Sequence, residues 1–211
     1  MTLPLFKLVA SLPLLLADFT PRPSHSLGPS IAPSAKPATS STTSTATPGP
    51  GGREFTCGTL SYDGHDGTAM ALPNRTAMEA GVKILAAAPG TVLGTCDGIA
   101  DFVPFEPGKE FGNSVLVGNG QGWQTRYCHM KQGCVVVQKG QQVTLGTPPG
   151  VIGQSGNADF PLLHQTVRHN GQAVDPFAPD QSTCGAPTSP GLLSTLLPYE
   201  PGGCLAADFT T

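Results

Sequence analysis

The chain has 211 residues, enough for one domain with appendages. Its 27 Gly and 22 Pro exclude a mainly helical fold, because these residues are the least favourable in a helix interior. A formal net charge of −3 and the lack of any Lys/Arg cluster leave no electrostatic basis for a nucleic-acid partner.

Residues 1–17 read as a signal peptide, with Lys7 followed by the apolar run Leu8 to Ala17. That run is too short to cross a hydrocarbon layer of roughly 30 Å as a helix. The expected location is therefore secreted or periplasmic, and no later stretch resembles a membrane span. Residues 18–52 are rich in Ser, Thr and Pro and hold almost no large apolar side chain. Such a tract cannot bury enough surface to offset its ordering entropy, so it reads as a disordered stalk, either glycosylated or a plain spacer.

The folded part is expected over residues 53–178. Val82–Ala88, Thr91–Gly94, Ser114–Val117, Trp123–His129, Cys134–Val137, Gln142–Leu145 and His164–Val167 read as short strands. Pro89-Gly90, Lys139-Gly140, Pro149-Gly150 and Asn170-Gly171 supply turns between them. Trp123, Thr125, Tyr127 and His129 alternate onto one face, with Gln124, Arg126 and Cys128 on the other. The one helical turn expected is Asn74 to Gly81, with Asn74 as its cap. Together these elements predict an all-β, antiparallel, barrel-like domain. Residues 179–211 read as an irregular tail packed on that domain. The six cysteines form no Cys-x-x-Cys pair; they fit disulfides in an oxidising compartment and allow fifteen full pairings.

Three segments carry the chemistry. They are Ser61-Tyr-Asp-Gly-His-Asp-Gly-Thr-Ala69, Tyr127-Cys-His-Met130 and Pro161-Leu-Leu-His164. Together with Ala86-Ala-Ala-Pro-Gly-Thr-Val92 and Val174-Asp-Pro-Phe177 they resemble the LytM/lysostaphin-type zinc endopeptidases that cut peptidoglycan cross-links. The family's duplicated-hybrid-motif fold is the one the resemblance implies. Those enzymes carry His-x-Gly-x-Asp, a His in a Tyr-x-His strand, and His-x-His. A catalytic zinc needs three protein ligands and an open position for water, whose pKa the metal lowers to about 7.

The resemblance implies His65 and His164 as metal ligands and His129 as the catalytic histidine. Ala69 falls where the Asp ligand belongs, and Leu162 where a second catalytic histidine belongs. Asp66 adjoins His65 but alternates to the opposite face; Asp63 and Asp159 remain as candidate substitutes for the missing carboxylate. The incomplete set implies zinc bound weakly or not at all, and a zinc metalloendopeptidase that is inactive or weakly active. The function so implied is a monomeric, exported module that binds peptidoglycan or another cell-envelope protein. The alternative is an active endopeptidase with a variant ligand set.

Overall fold

The computed structural model describes residues 52–192 and the short strand Ser41–Thr42. The expected signal peptide, most of the stalk and Cys204 lie outside the described residues. In chain order the elements are β1 (Ser41–Thr42), β2 (Thr68–Ala71), α1 (Arg75–Glu79), β3 (Lys83–Ile84), β4 (Gly90–Cys96) and β5 (Asn113–Gly120). There follow β6 (Trp123–Met130), β7 (Gln142–Val143), β8 (Gly150–Val151), β9 (Leu162–His169) and β10 (Gln172–Val174).

The main sheet runs β1-β2-β9-β6-β5-β4-β7, with β10 also on β9, and β3 pairs β8 separately. Every pairing is antiparallel, so the β class expected from strand pattern and composition holds. Two residues of the Ser/Thr-rich tract form the edge strand: Ser41 pairs with Met70 and Thr42 with Ala69. α1 begins where expected, because the Asn74 side chain accepts from the Ala77 N–H at 2.9 Å.

Two readings need correction. Cys134–Val137 is not a strand; Cys134 N donates to Lys131 and Val136 N to Pro149, isolated loop bonds rather than a ladder. The strand Thr68–Ala71 went unrecognised because it is buried on both faces and so shows no alternation.

The core lies on one face of the sheet, where Met70, Val92, Val115, Val117, Tyr127 and Leu163 pack with Met78 from α1. The Tyr127 hydroxyl accepts from the Ala87 N–H at 2.7 Å, so the only polar atom of that buried ring is satisfied. The part of the tail that lies among the described residues, up to Leu192, is tied to the domain. Cys57 and Cys184 form a disulfide, Phe55 stacks on Phe177 at 5.8 Å, and Gly185 N donates to Phe55 O. Cys96, Cys128 and Cys134 are free thiols. Among the described residues no helix is long and apolar enough to cross a membrane.

Candidate functional site

β9 places His164 in register with Ala69 on β2 and with Cys128 on β6. Leu163 faces the core, so strand alternation turns His164 to the opposite face of the sheet. His65 arrives from the turn before β2, closed by His65 N donating to Tyr62 O at 3.1 Å with Gly64 at φ +78°. His65 Nε2 then lies 3.3 Å from His164 Nδ1, and both rings are buried. Gly67 permits this approach: a Cβ there would sit 2.7 Å from His164 Nε2 and 2.5 Å from Gln165 O.

Asp66 fixes the orientation of His164. Its Oδ1 is 3.3 Å from His164 Nε2, while Arg168 donates to Oδ2. The His164 ring bond, burial acting in the opposite sense, and the nearby charges set a balance that holds the Asp66 carboxyl down at about 2. An ionised carboxylate only accepts, so Nε2 of His164 carries the hydrogen and Nδ1 turns its lone pair toward His65. Asp66 therefore lies on the far side of the His164 ring from His65 but lines the same cleft; the opposite-face placement expected from alternation does not hold, because His65 and Asp66 precede the regular strand β2.

His129 does not obey the alternation read from the sequence. Tyr127 and Met130 both enter the core, and His129 between them takes φ +58°. The register of β5 on β6 shifts there, between Asn113 and Val115. This left-handed step swings the imidazole to the His164 side, with ring centroids 6.0 Å apart. His129 Nδ1 lies 2.8 Å from Ser155 O and must donate to it, leaving Nε2 as the acceptor. Burial, with a smaller push from His164, lowers its pKa to about 4, so the ring is neutral at physiological pH.

A buried polar clamp holds that strained position. The Asn113 side chain donates to Ile99 O and Met130 O, and Ser155 Oγ donates to Met130 O while accepting from Asn113 N. Gly156, at φ +78°, brings this loop so close that a Cβ would meet Gly112 N at 2.4 Å.

The resulting cleft holds about 230 Å³ and is lined by Tyr62, His65, Asp66, Glu110, Phe111, His129, Asn157 and His164. Two imidazole nitrogens 3.3 Å apart match one edge of a zinc tetrahedron built on Zn–N bonds of roughly 2.0–2.1 Å. The third donor does not follow. Ala69 and Leu162 are both buried and carry only apolar carbon, and Asp63 and Asp159 are exposed and do not line the cleft. Among the described residues no group of three His, Cys, Asp or Glu side chains is placed to hold a metal ion. The histidine pair fits zinc; the donor set as a whole does not fit a three-ligand catalytic site.

The sequence reading brought His65, His129 and His164 to one cleft and missed what holds them. Those residues are Asn113, Ser155 and Arg168. Asn113 and Arg168 lie far from their partners in sequence and carry no local signal.

The model of Peptidase family M23 matches residues 64–176, more than half of the chain. The cell division protein DipM of Caulobacter vibrioides is 33% identical over 102 residues, which are 46% of this chain and 16% of that protein. The peptidoglycan DD-endopeptidase ShyA of Vibrio cholerae is 34% identical over 64 residues, 30% of this chain and 14% of that protein. The matched region thus spans only about a sixth of either relative. A zinc-containing peptidase from Vibrio cholerae, of known crystal structure, is 20% identical with a TM-score of 0.49, covering 72% of this chain and 38% of that one. The match over residues 64–176 makes this chain a member of Peptidase family M23.

Proposed function

We propose that this is an exported, peptidase-like module that binds peptidoglycan or a cell-envelope protein through its histidine cleft without hydrolysing it. One observation carries the reading: Ala69 and Leu162, at the positions where the family resemblance implies a carboxylate and an imidazole, are buried and neither side chain has a donor atom. Hydrolysis would lack both a third metal ligand and a proton-transfer group, and loss of the latter alone typically lowers rates by about 10² to 10⁴. The cleft itself remains open, with Tyr62 and Phe111 beside its polar groups, which suits a peptide. Membership of the family, and the name of the relative ShyA, point to wall peptide as the ligand class.

A second reading rests on the 3.3 Å spacing of His65 Nε2 and His164 Nδ1, which is right for a shared metal. It makes the protein an active zinc endopeptidase with a variant ligand set. Elemental analysis of purified protein, combined with binding to and digestion of purified peptidoglycan, separates the two. Binding without stoichiometric zinc and without release of soluble fragments supports the first. Full zinc occupancy with digestion establishes the second.

A further inference from the structure

A second cavity, of about 550 Å³, adjoins the histidine cleft, and Phe111 lines both. Its floor is the same sheet face that carries His164: Arg126 pairs with Leu116 across β5 and β6, and Ser114 with Cys96 across β5 and β4. Phe111 separates the two spaces and is anchored, since its carbonyl accepts from His129 N at 3.0 Å. The Arg126 guanidinium lies 4.7 Å from the Phe111 ring centroid. That contact holds the planar cation in one place without using its N–H groups.

The acids around this cavity have other partners. Glu106 pairs with Lys109 at 2.6 Å, and Glu110 accepts from Gly108 N. Asp97 accepts from Gly98, Gly133 and Val135, and Asp101 from Gln132 and Gln154. Arg126 has no carboxylate or carbonyl partner among the described residues. In a chain of net charge −3, a half-buried, oriented and unneutralised guanidinium in a cavity is a receptor for an anion.

We propose that this cavity is a subsite for a peptide carboxylate, bound by Arg126, on a chain that crosses Phe111 from the histidine cleft. The proposal rests on the wall-peptide reading for its ligand and adds what that reading lacks, the charge of the bound segment. Cys96, an exposed free thiol lining the same cavity, serves as a reporter.

The test uses peptides released from purified peptidoglycan, with carboxylates free or converted to methylamides. Binding is measured by calorimetry, and protection of Cys96 from a thiol reagent by mass spectrometry. The free-carboxylate form is expected to bind on the order of tenfold more tightly. Arg126→Met should abolish that difference while keeping the side-chain stem against Phe111, and Arg126→Lys should retain part of it. Equal binding of both peptide forms by the unmodified protein overturns the subsite and leaves the wall-peptide function intact. Absence of peptide binding, with Arg126-dependent protection of Cys96 by acetyl-glutamate, keeps the anion site and sinks the wall-peptide reading. Neither binding nor protection overturns both.

Discussion

Asp66 grips the edge of the His164 ring that faces away from His65, with Oδ1 3.3 Å from Nε2. The same carboxylate receives Arg168 and lies within reach of the Thr166 hydroxyl at 3.5 Å, so one acid orders three side chains of β9. Such an outer carboxylate normally fixes both the tautomer and the direction of a ligand histidine.

Asp66→Ala should lower stability at pH 7 by about 1–2 kcal/mol, a figure reduced from the full linkage value because the group is partly exposed. The Asp66 carboxyl falls from its ordinary 3.8 to about 2, first through the His164 hydrogen bond. Its contribution is therefore present above about pH 4 and lost as pH falls toward 2. Denaturant melts at pH 7 and pH 2.5 check this; a gap that stays constant with pH would be inconsistent with it.

Asp175 behaves in the opposite sense. Burial, with Glu54 adding to it against two backbone hydrogen bonds, raises its carboxyl to about 6. The folded state then holds the proton more tightly than the unfolded one, so stability falls as pH rises from about 4 to 6. Asp175→Asn should flatten that part of the stability profile, and thermal melts between pH 4 and 7 would display it.

The Cys57–Cys184 bridge closes a loop spanning 127 residues, a length at which chain-entropy arguments give stabilisation of about 2–5 kcal/mol. Replacing both cysteines by Ala should lower the melting temperature and free the segment that carries Phe177. Proteolysis should then cut first between Ala178 and Leu192. Unchanged proteolysis would show that the Phe55–Phe177 stack suffices.

Ala69→Asp places a carboxylate on β2 directly across from His164. Elemental analysis should then find zinc close to one per chain, because three donors surround one point. Peptidoglycan digestion should appear only when Leu162→His is added, since the second of the two catalytic histidines that the family resemblance implies is otherwise missing beside His129. Digestion by Ala69→Asp alone would assign that role to His129 by itself.

Local patterns determined a good deal of this protein. Alternation and turn residues marked β4, β5, β6 and β9, Asn74 marked the helix start, and three short segments marked His65, His129 and His164. These signals are legible because they depend on neighbours within a few residues. The resemblance of those segments to the family implied that Ala69 and Leu162 stand where donors are needed; that their own side chains carry none is plain from the sequence.

Tertiary structure decided what no local pattern encodes. Alternation put His129 on the Tyr127 face; a left-handed backbone step, held by Asn113 and Ser155, put it opposite His164 instead. Arg168 reaches Asp66 across 102 positions of sequence, and Arg126 faces a cavity whose walls come from β4, β5 and the loop ending at Gly112. Strand period fixes which face a residue occupies only while the strand stays regular. Where the ladder shifts, the direction of a side chain is set by whichever distant groups can satisfy the backbone.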